Sequence, residues 1–545
     1  MVRHGRNGGE RNMMNLHDVL YASKLNGGGG GSPTLVEKII TANGVYNAAD
    51  DNADGYSKVT ANVPNSYAAG DEGKVVNNGA LVSQTTLNVT RNGTYDTTTK
   101  NSVNVNVTAV IYGIRIDPNE GDPSDRVTYL EDAAGMTPAY MGATAFNYGS
   151  WENAFFMPKP CMLRYDGTVA YYLDPNDYSK KLDGTPSDIA NPDFEGNVML
   201  EFPKIFYKYV PDESGNDGYF YVSNKKIDDT YECWSNYDAD NNEINHFYMA
   251  AYNGTSAAEY SAESTYAAGA HVTYSGAEYR CTTAVETAEA WDNTKWELVS
   301  ATPRLRSLSG VQLTSANGSG NTSGQEEMER ARANNTTAKD EWLIDLWADA
   351  ILIWGLLYLI GKSTDVQGVF GRGMDAGGQT TAEAYVTGTL NGKGLFYGNT
   401  ANGNTAVKVF GIENFWGCKW RRCAGFFGTS TGYAYKLTHG TKDGSTVSAF
   451  GTTNTGYLTI AETQPDSNYV KNMLIGKHGL IAKVTGLPAT SNKYYCDYFY
   501  KGVGFALFGG YAAAELGCGV YGILHSSVSG RGWVIAAALS CKPLA

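Results

Sequence analysis

One segment limits what this chain can fold into more than any other: WLIDLWADAILIWGLLYLIG, residues 342–361. A helix that is apolar on every side has to be buried, either inside a protein or in a bilayer. A spanning helix needs about twenty predominantly apolar residues. Here Asp345 and Asp349 interrupt the run, and only residues 350–361 are free of charge. The segment is therefore expected as a core helix, the end of one long helical region over 324–361. A core that surrounds a helix needs layers of other structure around it. The rest of the chain offers strands and turns: of 545 residues, 64 are Gly and 38 are Tyr, while only 18% are charged. Gly-rich, aromatic and weakly charged sequence reads as β-rich. The expected class is mainly β, or α+β.

Charge removes several partner classes. The formal net charge is −14, with no Lys/Arg stripe to set against it. DNA, RNA and anionic lipid are attracted by basic patches, so nucleic acid binding and membrane insertion are not expected. The first twenty residues, MVRHGRNGGERNMMNLHDVL, lack the apolar run of a secretory signal. The expectation is a soluble protein made in the cytoplasm. Eight cysteines at 161, 233, 281, 418, 423, 496, 518 and 541 are too scattered for a disulfide framework and contain no CxxC pair. They read as reduced, buried small hydrophobes.

Four regions follow along the chain. Residues 1–32 hold a short helix candidate, 16–25, and the flexible run GGGGGS, and read as an attachment segment. Residues 33–110 contain a repeat: 41–63 realigns on 90–107 after five residues are removed, and both copies open on Asn-Gly and close on alternating Val and polar residues. The repeat resembles short β modules of tail-associated and surface proteins of Gram-positive bacteria and their phages. Residues 111–256 and 301–545 read as one large domain of strands and aromatic loops, including 112–117, 159–175 and 198–210. Residues 257–300 interrupt it.

That interruption carries a dense aromatic pattern, Tyr266, Gly269, Val272, Tyr274, Gly276, Tyr279, Trp291 and Trp296. The spacing resembles a small chitin/cellulose-type carbohydrate-binding module. Such modules stack flat rings on sugar faces, and the resemblance implies sugar contact by Tyr266, Tyr274, Tyr279, Trp291 and Trp296. Thr282-Thr283-Ala284 stands where that family has an exposed aromatic pair. The other reading makes these rings the module's own core.

The C-terminal region has three marked pieces: GIENFWGCKW (411–420), GVGFALFGGYAAAELGCGVYG (502–522) and VIAAALSCKP (534–543). In that order, with FPKIFYKY, LRSLSG and GRG upstream, they resemble the formylglycine-generating-enzyme-like branch of the C-type lectin fold. They closely resemble phage tail proteins of this branch, several of which are variable proteins of diversity-generating retroelements. Asn (43) and Lys (26) make up about one residue in eight of the chain, yet residues 502–541 contain neither. Adenine-directed mutagenesis depletes both, because their codons are adenine-rich. A buried Gly/Ala strand pair would also exclude them. The resemblance implies a scaffold at Gly509-Gly510, Cys518-Gly519 and 536–539. It also implies exchangeable receptor contacts at Tyr511, Ala513, Ala514, Glu515, Gly517, Tyr521, Gly522, His525, Ser527, Arg531 and Trp533. Tyr, Trp and Arg are the anchors such a surface needs.

Catalysis is not expected. The oxidase of that fold branch holds copper with a cysteine pair, whereas Cys518 stands alone here and Cys418 and Cys423 read as core. The Glu-Pro-Asn and Trp-Asn-Asp motifs of calcium-dependent lectins are missing, and Trp291-Asp292-Asn293 has the order reversed. DDNADG (50–55) begins like an EF-hand loop but has Ala61 at its twelfth position. Seven scattered histidines form no metal pattern, and Glu326, Glu327 and Glu329 read as a solvated helix face. No cofactor or metal is expected. The resemblance implies a phage tail adhesin in the virion, a homotrimer partnered by other tail proteins and by a bacterial surface receptor, protein or glycan. A tail-associated cell-wall glycan hydrolase and a surface-displayed bacterial ligand-binding protein are the alternatives.

Overall fold

The computed structural model describes residues 109–213, 216–313, 322–486 and 493–544, together with five short strands before residue 109. The chain divides into two compact units, residues 1–110 with 153–155, and the remainder. In the first unit, Tyr56–Thr60 and Ser102–Val107 pair antiparallel, with Tyr56 opposite Asn106, and Thr86–Val89 adds in parallel. The closing strands of the two repeat copies thus lie side by side in one sheet. Lys74–Asn77 and Ala80–Ser83 form a separate hairpin. The 16–25 helix candidate, the Gly-rich run, the two opening Asn-Gly turns and DDNADG lie outside the described residues.

The second unit is built around the apolar run, and the protein is mainly β, as its composition predicts. Helix Trp347–Gly361 is buried along its whole length. On one side lies a four-stranded sheet ordered Phe206–Pro211, Gly218–Ser223, Ile111–Ile116, Val127–Glu131. From it the Tyr209 hydroxyl donates to the Ile351 carbonyl at 2.7 Å. Gly355 is required at this contact, because a Cβ there would sit 2.5 Å from the Tyr209 hydroxyl. On the other side lies a nine-stranded sheet, where Trp347 stacks on Phe426 at 3.8 Å and Trp354 meets Phe508 and Tyr521 edge-on. Among the described residues no helix is long and apolar enough to cross a membrane.

The two aspartates that interrupt the apolar run are buried with partners. Asp345 receives Arg421 through Nε and Nη2 at 2.8 and 3.1 Å, and Asp349 receives Lys542 at 2.6 Å and Ser540 at 2.9 Å. A buried charge persists only when paired and hydrogen-bonded. Both pairs fasten the core helix region to the sheets around it.

The expected long helix over 324–361 is corrected. Two helices form, Gly324–Arg332 and Trp347–Gly361, with the buried strand Trp342–Ile344 between them. The polar stretch 333–341, rich in Asn and Thr, has weak helix propensity, and the Asn335 side chain accepts from the backbone N–H groups of Glu341 and Trp342. The run 198–210 likewise does not stay in one sheet. Gly196–Pro203 lies in a seven-stranded sheet with Lys159–Arg164 and His246–Ala250, while Phe206–Pro211 belongs to the four-stranded one.

The chain's last residues join the two larger sheets. Ile535–Ala536 pairs in parallel with Trp420–Thr429 in the nine-stranded sheet. Leu539–Cys541 enters the seven-stranded sheet between His246–Ala250 and Trp342–Ile344. All eight cysteines are buried free thiols.

Residues 257–300 form their own three-stranded sheet, His271–Tyr274, Ala277–Cys281 and Trp296–Ser300. Tyr274 pairs with Ala277 across a two-residue turn in which Ser275 and Gly276 both have positive φ, the geometry a right-twisted hairpin favours. The module is held to the large domain by Asp193, which receives Arg280 at 2.7 Å and contacts His271 at 3.1 Å. Glu278 contacts the other ring nitrogen of His271 and accepts from the Arg304 N–H.

Candidate functional site

The nine-stranded sheet sets the site by its period of two. Across neighbouring strands, Tyr469 lies opposite Tyr498, Tyr500 opposite Leu524, and Leu524 opposite Leu507. Side chains directly opposite share a face, so these residues and Trp420, two before Arg422 (opposite Leu507), form the outer face. Phe499, Ile523 and Phe508 alternate inward toward the core helix. Two loops from the C-terminal segment, 511–518 and 527–534, lie over this outer face.

Tyr511 and Trp533 bring those loops together, their rings 5.9 Å apart. Tyr511 also stacks over the buried Trp420 at 6.2 Å, which Tyr500 meets edge-on at 5.9 Å. Tyr511 and Trp533 are half-exposed, Ala514 is half-exposed, and Ala513, Glu515, Ser527 and Arg531 are exposed. Arg531 donates to Glu326 at the start of helix Gly324–Arg332. Beneath it, Arg422 donates to the Gly530 carbonyl, and the buried Lys419 donates to the Trp533 carbonyl at 2.5 Å. Glu515 adopts a left-handed backbone, φ 48°, with its N–H donated to the Asp375 carbonyl. A non-glycine residue held there carries strain, a feature that clusters at functional surfaces.

Four expected contact residues are corrected to interior positions: Gly517, Tyr521, Gly522 and His525 are buried. Parity explains two of them. Tyr521, Ile523 and His525 share the inward face of strand Gly519–Ser526, and the neighbour that points outward is Leu524. Tyr521 packs against Trp354, and its hydroxyl oxygen accepts from the Ala482 N–H. His525 lies among Phe426, Tyr433 and Phe499 and accepts from the Gly428 N–H at Nδ1, 3.0 Å away. Burial there pushes its pKa down to about 3. Gly522 has no room for a side chain, since a Cβ would meet the Gly517 carbonyl at 2.9 Å. Gly509, Gly510, Cys518, Gly519 and residues 536–539 are all buried as well.

Comparison with protein-family models gives no match, and comparison with curated proteins finds none similar to this chain. The site's reading therefore rests on its own geometry.

Three half-exposed tyrosines on the outer face were not singled out from sequence. Tyr469 meets Tyr498 at 5.1 Å, Tyr498 meets Tyr500 at 4.5 Å, and the row continues through Trp420 to Tyr511 and Trp533. Burial, with Glu515 and Tyr498 nearby, raises the pKa of the Tyr469 hydroxyl. The alternation Tyr498-Phe499-Tyr500 is the signal that could have exposed the row, because it places two rings outward and one inward.

The inserted module uses its rings differently. Tyr274 stacks on Trp291 at 4.0 Å and Trp291 on Trp296 at 5.0 Å, while Tyr279 meets Trp291, and Tyr266 meets Trp296, nearly edge-on. Trp296 is buried, and Tyr266, Tyr274, Tyr279 and Trp291 are half-buried around it. Ring meets ring throughout this cluster, which forms the module's own core. Among the described residues, no three His, Cys, Asp or Glu side chains converge as a metal site.

Proposed function

We propose that this chain is a phage tail adhesin that binds a bacterial surface receptor through loops 511–518 and 527–534 of a C-type-lectin-like domain. In this reading residues 502–541 are the exchangeable segment of a retroelement-diversified protein, carried in the virion as a trimer. The observation that carries the proposal is the Tyr511–Trp533 pair: two half-exposed rings from separate loops, seated on buried Trp420 and flanked by exposed Ala513, Glu515, Ser527 and Arg531. Large rings fixed from below lose little entropy on contact, and small neighbours leave room for a partner to approach. The sheet beneath is anchored on the buried core helix, so the exposed loop residues can change without changing the fold. A trimer would place three such faces on one tip and raise avidity through effective concentration.

The test uses fluorescently labelled full-length protein and cells of the bacterium that carries the gene, or on which its phage grows. Saturable binding is expected, with Tyr511→Ala/Trp533→Ala at least tenfold weaker and its melting transition close to the parent's. Absence of binding to those cells, or full binding by the double variant, refutes the proposal.

A further inference from the structure

We infer that the receptor face extends beyond the C-terminal segment onto Tyr469, Tyr498 and Tyr500, and that this constant part of the face takes a protein surface. The inference rests on the adhesin reading and adds an anchoring set and a partner class to it.

Three observations carry it. The first is continuity: the tyrosine row reaches Trp420 through Tyr500, and Trp420 is the ring that supports Tyr511. The second is support. Each tyrosine has a strand neighbour locked into the interior, Phe499 at 0% exposure between Tyr498 and Tyr500, and Val470 at 1% after Tyr469. Half-exposed rings on such strands are preorganised anchors rather than mobile side chains. The third is location in the sequence. All three lie before residue 502, so exchange of residues 502–541 would leave them in place. One part of the face would supply affinity to any partner, and the other part would choose among partners.

The composition of the face favours protein over glycan. Successive rings cross at 80° (Tyr469–Tyr498), 44° (Tyr498–Tyr500) and 82° (Tyr500–Trp420). A sugar chain stacks best on ring faces that lie level with one another, and these do not. Half-buried Leu524 and Val534 fill the ground between the rings. The charges stay at the margin: the Lys501–Asp466 pair, Glu515, and Arg531 with Glu326. An aromatic and aliphatic centre within a charged rim is the anatomy of a protein–protein contact.

The experiment uses the same labelled full-length protein and the same cells, in two arms. In the first, Tyr498→Ser/Tyr500→Ser is expected to bind at least tenfold more weakly than the parent, while Tyr498→Phe/Tyr500→Phe stays within about threefold. Tyr469→Ser, a single change, serves where the double serine variant melts early, and it is expected to weaken binding at least threefold. In the second arm, cells shaved with proteinase K lose binding and cells treated with periodate retain it. Parent-like binding by the serine variants, alongside loss in Tyr511→Ala/Trp533→Ala, removes the anchoring role and leaves the adhesin reading intact. Binding that survives protease and vanishes with periodate assigns a glycan and overturns the partner class. Failure of the parent to bind untreated cells overturns the adhesin reading itself.

Discussion

His525 gives a sharp test of which side chains belong to the frame. Its Nδ1 accepts the Gly428 N–H at 3.0 Å, so the neutral ring carries its proton on Nε2, which meets no hydrogen-bond partner among the described residues. Phe426, Tyr433 and Phe499 surround it, with ring centroids 5.6 to 6.0 Å away. Protonation would break the Gly428 bond and place a charge among aromatic rings. The folded pKa is accordingly held down to about 3, against 6.5 when exposed. The unfolded chain therefore binds this proton first as pH falls. The stability His525 confers is fully present above about pH 6.5 and is lost progressively toward pH 3. Between about pH 7.5 and pH 5 the cost is about 2 kcal/mol, from 1.5 pH units below the unfolded pKa at 1.36 kcal/mol each. The perturbation is His525→Asn, whose amide oxygen can accept from Gly428 but does not titrate. Urea unfolding followed by tryptophan fluorescence at the two pH values measures it. The parent should lose about 2 kcal/mol more than the variant on acidification. The other histidines titrate alike in both proteins and cancel. Equal acid losses, or a His525 imidazole titrating near 6.5, would refute the interior placement.

Three further outcomes follow from the packing. Gly355→Ala drives a methyl into the Tyr209 hydroxyl and the Phe220 ring and should cost about 1–3 kcal/mol, read as a lowered urea midpoint. Arg421→Met strands Asp345 in the core and should cost about 3–5 kcal/mol, with Arg421→Met/Asp345→Leu recovering most of it in the same assay. Glu515→Gly relieves the left-handed strain and should raise stability by about 1 kcal/mol, seen as a higher melting temperature.

Much of the frame was legible in the sequence, and the failures have physical causes. The 342–361 run announced a core helix because nothing else could bury it, and Ile111–Ile116 and the 159–175 hairpin declared themselves by strand chemistry. The break in 324–361 was hidden because Trp342–Ile344 is a strand only through pairing with Leu539–Cys541, about two hundred residues away. Tyr521 and His525 were misplaced for a related reason. Strand Gly519–Ser526 is covered on both faces, inward by the core helix and outward by loops, so it shows no alternation of polar and apolar residues from which to read parity. The tyrosine row was missed because Tyr469 and Tyr498 become neighbours only across strands.

The position of the final strands bears on what a shortened or frame-shifted chain could fold into. Ile535–Ala536, Leu539–Cys541 and Lys542 lie beyond Trp533, the last of the proposed contact residues, and they complete two sheets and neutralise Asp349. A message that shifts frame or stops upstream of them yields a chain in which three strands, Trp420–Thr429, His246–Ala250 and Trp342–Ile344, lose a partner and Asp349 keeps an uncompensated charge. Such a product cannot close its core, so the domain has no intermediate length at which it is folded but incomplete.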